Sequence, residues 1–86
     1  MKSIRYQRRA EVLLLTGVSN STLHNRINNG LFVPPVSLGA RSVGWLEHEV
    51  TEVLAARAKG LNDNGIRTLV KGLIESRSQL ASAGGA

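Results

Sequence analysis

The sequence predicts a mainly α fold with one small β-hairpin and an extra C-terminal helix, and three observations lead there. Apolar residues recur at helical spacing in three stretches: Val12 to Leu15, Leu23 with Ile27, and Leu46, Val50, Val53 and Leu54. Between the second and third stretches, Pro34-Pro35 forbids helix and two short alternating runs follow, Val36-Ser37-Leu38 and Ser42-Val43 with Trp45 beyond. A last aliphatic stripe, Ile66, Leu69, Val70, Leu73 and Ile74, comes after a turn-rich joint.

Taken in order, residues 1–7 read as a polar lead-in. Arg8 or Arg9 opens a first helix running to about Thr16, with Val12, Leu13 and Leu15 available for the core and Leu14 turned partly to solvent. Gly17 supplies the positive φ that ends this helix, Val18 is an apolar plug, and Ser19 caps a second helix extending from Asn20 to Asn29. Gly30 stops it. The two alternating runs pair as a hairpin with Gly39-Ala40-Arg41 at the tip. Trp45, the sole tryptophan, sits at the joint between strand and helix, where a core anchor is expected rather than a platform for a base. A third helix spans Leu46 to about Lys59. Glu47 and Glu49 in its first turn and Arg57 and Lys59 in its last complement its dipole. The expected organisation is a helix-turn-helix and hairpin domain over residues 1–60, a joint at 61–65, an amphipathic helix at 66–80 and a disordered tail at 81–86.

An 86-residue chain makes one small domain that buries only about 60% of its unfolded surface, so its stability should be modest. There is no cysteine for disulfides or thiolate metal sites, and Val12 to Leu15 is far too short an apolar run to span a membrane. The charged N-terminus lacks the apolar core of a signal peptide, which makes the cytoplasm the expected location. An enzyme is hard to assemble. His24 and His48 are the only histidines, they fall on different helices, and neither has the spacing of a catalytic triad or a metal site. The glycines are scattered at turns instead of forming a phosphate loop, so no cofactor is expected.

The formal net charge of +5 is unevenly placed. Residues 1–45 hold Lys2, Arg5, Arg8, Arg9, Arg26 and Arg41 against Glu11 alone, whereas residues 46–86 balance five basic groups with five acidic ones. The excess surrounds the second helix, and no acidic residue occurs from Val12 to Trp45. On that helix the Leu23/Ile27 stripe is buried, Ser21, Asn25 and Asn28 lie opposite it, Thr22 and Asn29 form one shoulder and His24 the other. Hydrogen-bonding side chains, a cation and no carboxylate suit a groove lined with base edges and phosphates, so double-stranded DNA is the expected partner. A membrane surface would require an exposed apolar helix face that so few apolar residues cannot spare. Arg41, at the tip of a hairpin beside this helix, suits a wing that reaches the backbone or minor groove. The candidate contact set is Arg8, Arg9, Ser19, Asn20, Ser21, Thr22, His24, Asn25, Arg26, Asn28, Arg41 and Ser42.

The succession Thr-Gly-Val-Ser-Asn-Ser-Thr-Leu, Asn-Gly-Leu-Phe-Val-Pro-Pro-Val, Leu-Gly-Ala-Arg-Ser-Val-Gly-Trp-Leu resembles the AlpA family of prophage regulators and excisionases, small relatives of the MerR-type winged helix-turn-helix. The resemblance covers about Arg8 to Arg57. It implies that the second helix enters the major groove, that the hairpin is a wing on the flanking backbone or minor groove, and that the output is transcription control or the direction of site-specific recombination. Asn20 stands where the family typically has arginine, and His24-Asn25 where it has an aromatic-arginine pair. Polar contacts from asparagine, adenine being a fitting target, are therefore expected to carry more of the readout.

The segment after Arg57 lies outside the resemblance. Its stripe has two expected uses: association, whether between copies or with an integrase-like recombinase through residues 66–80, or a return over the third helix as core. A small-subunit terminase role in packaging-site recognition and a non-DNA adaptor role are the alternative functions.

Overall fold

The computed structural model describes residues 4–85 of the chain; Lys2 of the basic half and Ala86 of the tail lie outside the described residues. The elements run β1 (Tyr6–Gln7), α1 (Arg9–Thr16), α2 (Asn20–Asn28), β2 (Val36–Gly39), β3 (Ser42–Leu46), α3 (Glu47–Ala58) and α4 (Asp63–Gly85). This is the mainly α fold with a hairpin and an extra helix, arranged as a winged helix-turn-helix.

One strand was invisible in the sequence. β1 comes from the lead-in and pairs antiparallel with β3, Tyr6 opposite Leu46 and Gln7 opposite Trp45, so the sheet has three strands in the order β1-β3-β2. A two-residue strand offers no alternation to detect; its existence follows from β3 having a second edge to satisfy. Gly44 lies between the two partners, where a Cβ would come within 3.3 Å of the Gln7 carbonyl and 2.9 Å of Leu38 Cδ1. The middle strand can carry both neighbours because that position has no side chain.

Val12, Leu23, Phe32, Val33, Trp45, Val50, Val53, Ile66 and Val70 form the buried core, which draws on α1, α2, the loop after α2, β3, α3 and α4. Trp45 is its anchor, fully buried with Nε1 donating to the Val33 carbonyl at 3.0 Å. Leu15 does not join it. At 100° per residue Leu15 lies about 60° from Val12 on the flank away from Leu13 and Thr16, and it is 52% exposed, while Leu14, about 160° from Val12, is 84% exposed.

The C-terminal stripe settles back over α3. Ile66 and Val70 are buried, Leu69 and Leu73 pack against the core, and only Ile74, on the shoulder of the stripe, is 39% exposed. The joint is shorter than expected and α4 starts earlier than Ile66, because Asn62 caps it: its Oδ1 accepts from Gly65 N at 2.9 Å. At the other end the helix continues through Gly85, over the stretch expected to be a disordered tail. Alanines at 81 and 83 favour helix, and no proline interrupts it.

Glu49 is a second correction. It sits in the first turn of α3 but is wholly buried, where Arg77 of α4 binds it through two nitrogens, with Nε to Oε2 at 2.9 Å. Nη2 of the same arginine also donates to the Pro34 carbonyl at 2.7 Å. α3 lies between the sheet and α4, so its buried face is wider than the apolar stripe read from spacing, and Glu49 falls inside it.

Arg77→Ala leaves the Glu49 carboxylate buried and unpaired, a loss of about 3–5 kcal/mol. In a domain of this size that is expected to lower the thermal midpoint by well over 10 °C, since each kcal/mol moves it by roughly 4–8 °C. The double change Glu49→Leu with Arg77→Met should recover most of the loss. A shift of only a few degrees for Arg77→Ala would mean that the carboxylate is not dependent on its partner.

Candidate nucleic-acid interface

The turn between α1 and α2 forms as its residues require. Gly17 takes φ +72° and donates its N–H to the Leu13 carbonyl at 2.8 Å, closing α1. Ser19 Oγ accepts from Thr22 N at 3.2 Å and donates to Thr22 Oγ1 at 3.0 Å. Both hydroxyls are thereby engaged in the cap. Leu23 is buried and Ile27 packs against the core, which leaves Ser21, His24, Asn25 and Asn28 exposed along α2, while Thr22 and Arg26 are half-buried. No acidic residue occupies the first turn of α2. Its free N–H groups and positive dipole end therefore stand without a competing carboxylate.

The wing is β2 and β3. They pair Val36 with Gly44, Ser37 with Val43 and Gly39 with Ser42, with a bulge between Ser37 and Gly39. Its two-residue tip is Ala40-Arg41, and Arg41 is exposed with φ +62°, the one non-glycine residue at positive φ among the described residues. A left-handed conformation costs about 1–2 kcal/mol for a residue with a Cβ. Glycine, the cheap choice, is absent from this place in favour of a cation.

Two arginines at the head of α1 connect the wing to the second helix. Arg8 Nη1 donates to Ser42 Oγ at 3.0 Å, tying the head of α1 to the first residue of β3 beside the wing tip. Arg9 Nη1 donates to Asn20 Oδ1 at 2.9 Å, tying α1 to the first residue of α2, and its guanidinium lies over the Trp45 ring at 5.1 Å from the centroid. Both arginines are exposed. The start of α2, Arg9, Arg8, Ser42 and the wing tip are thus linked into one run of surface. Of the twelve candidates, Ser19 and Thr22 are committed to capping, Asn20 and Ser42 to arginine, and Arg26 is only partly accessible. His24, Asn25, Asn28 and Arg41 have open side chains, and the exposed Ser21 hydroxyl shares a hydrogen bond with Ser19 Oγ at 3.3 Å. His48, on α3, is exposed in a separate groove with Arg5, Glu47, Thr51 and Glu52.

Sequence reasoning left out one residue beside this surface. Arg67 of α4 donates from Nε to the Asn29 carbonyl at 3.0 Å, at the C-terminal end of α2. Only the folding back of α4 brings them together, and no local pattern could announce it. Among the described residues, no helix is long and apolar enough to cross a membrane.

The family model of the prophage CP4-57 regulatory protein, AlpA, matches residues 5–58, which run from just before β1 to the last residue of α3. A phage P4 protein described as uncharacterized protein ORF88 is 46% identical over 56 residues, a match covering 65% of this chain and 64% of that protein. The chain thus aligns with less than two thirds of its relative's length. No solved structure matches.

Replacing Arg41 by glycine removes the left-handed cost of about 1–2 kcal/mol and adds back about 0.5–1 kcal/mol of chain freedom in the unfolded state. The net expectation is a stabilisation of up to about 1.5 kcal/mol, seen as a thermal midpoint raised by several degrees. A lowered midpoint would show that the Arg41 side chain supports the fold.

Proposed function

Because the chain belongs to the AlpA family of prophage regulatory proteins, we propose that it is a sequence-specific double-stranded DNA-binding protein of a prophage or mobile element. It acts there as an excisionase, setting the direction of recombination, or as a transcription regulator. α2 enters the major groove with Ser21, His24, Asn25 and Asn28 toward the base edges. The β2–β3 wing lays Arg41 on the flanking backbone or minor groove, and Arg8 and Arg9 neutralise phosphates between them.

The observation that carries this proposal is the run of surface from the start of α2 through Arg9, Arg8 and Ser42 to the wing tip, where three arginines stand against one carboxylate, Glu11, which is engaged by the Arg8 backbone N–H. A helix N-terminus, three arginines and a row of amide and hydroxyl side chains are complementary to a duplex both in charge and in hydrogen bonding. The packaging alternative leans on a free C-terminal helix and the adaptor alternative on that helix or the wing, whereas α4 is largely spent on the core. Its apolar stripe therefore gives little support to an integrase or a second copy docking through residues 66–80.

The test is selection of bound sequences from a randomised duplex pool, followed by measurement of affinity against salt. A recovered site beside the element's attachment site supports excision control, and one over a promoter supports transcription control. Loss of preference for any sequence would overturn the proposal. Asn25→Ala is expected to cost about 1–3 kcal/mol on the recovered site and little on mixed-sequence DNA, since asparagine can bond adenine through two atoms. Equal losses on both would assign Asn25 to the backbone. Arg41→Gly should weaken all duplexes alike and reduce the slope of log affinity against log salt by about one unit.

A further inference from the structure

We propose that α4 supplies a second phosphate-binding edge, in which Arg67 and Lys71 hold the DNA backbone beyond the C-terminal end of α2. The inference rests on the DNA-facing role of α2 proposed above. It concerns an element that lies wholly outside the residues matched by the family model.

Three observations support it. First, Arg67 is anchored to α2 by a single donor, Nε to the Asn29 carbonyl, and its terminal nitrogens have no hydrogen-bond partner among the described residues. A guanidinium fixed through Nε presents its remaining fork of donors already oriented, the geometry that phosphate oxygens accept. Second, Lys71 follows one turn later, is exposed, and lines the same shallow groove as Gly30 and Arg67. The groove therefore begins where α2 ends, beside the exposed Asn28 and Asn29. Third, neither cation is neutralised by a neighbour: Asp63 lies one turn before Arg67, and Glu75 lies one turn after Lys71 and lines the same groove, yet neither forms an ion pair, the single ion pair among the described residues being that of Glu49 with Arg77.

The basic surface is accordingly longer than the first half of the sequence suggests, with the wing at one end of α2 and the α4 edge at the other. Such a spread of cations would engage phosphates on both sides of the groove that α2 enters.

The experiment measures binding of the full chain to a mixed-sequence duplex about three helical turns long by fluorescence anisotropy, across about 50 to 200 mM salt. Lys71→Gln touches no intramolecular hydrogen bond and is expected to leave the thermal midpoint unchanged while lowering the log–log salt slope by about 0.9. Arg67→Gln should lower the slope by the same amount, and Arg67→Lys, which keeps the charge, should restore it. Unchanged slopes for Lys71→Gln and Arg67→Gln, alongside a reduced slope for Arg41→Gly, would overturn the α4 edge while leaving the proposed function standing. A lower midpoint for Arg67→Gln with no change of slope would likewise assign that residue to capping α2 and overturn its role in binding. A wild-type chain with no salt-dependent binding to the duplex would overturn both.

Discussion

A buried carboxylate governs the architecture. Glu49 is wholly buried, so it requires a cation brought from elsewhere, and among the described residues the one that reaches it is Arg77, twenty-eight residues on. That demand fixes where α4 must lie. Because Arg77 also holds the Pro34 carbonyl, the same contact pins the loop that leads from α2 into the wing. α4 is thus a brace rather than an appendage. It closes the core with Ile66 and Val70 and touches α2 through Arg67.

The ion pair also explains how much of the molecule could be read from its residues. Elements whose cause is local were legible: Gly17 and Ser19 define the turn, Pro34-Pro35 ends helical structure, and the alternation on both sides of Gly39-Ala40-Arg41 gives the wing. Trp45 was recognisable as an anchor because a lone large aromatic at a strand-to-helix joint has few other places to go. What escaped detection depends on distant partners. β1 exists because β3 has a free edge, Glu49 is buried because α4 returns, and Leu15 is exposed because the core occupies a narrower sector of α1 than the apolar residues do. The candidate surface followed the same division. The polar face of α2 was visible in its spacing, but the engagement of Asn20 with Arg9 and of Ser42 with Arg8 needed three dimensions, as did the approach of Arg67.

Arg8 and Arg9 illustrate why a basic cluster should not be counted as free charge. Each spends donors inside the molecule, one on the wing and one on α2, yet each remains exposed. A guanidinium has five N–H groups, so an internal bond to one of them orients the rest without exhausting them. The pair therefore aligns the two elements proposed to face DNA before any ligand arrives, which reduces the ordering that association would otherwise require. Asn25 and Asn28 of α2 have no comparable bracing, and their freedom is compatible with adjustment to a base edge.

The position of Arg9 over Trp45 has an optical consequence. The chain has one tryptophan, it is fully buried, and the cation on its ring is the group that joins α1 to the first residue of α2. Indole emission responds to the field of a charge that close, so any movement of Arg9 toward a phosphate changes the light emitted from the core. The protein carries an intrinsic fluorescent reporter of its own helix-to-helix junction, with no label required.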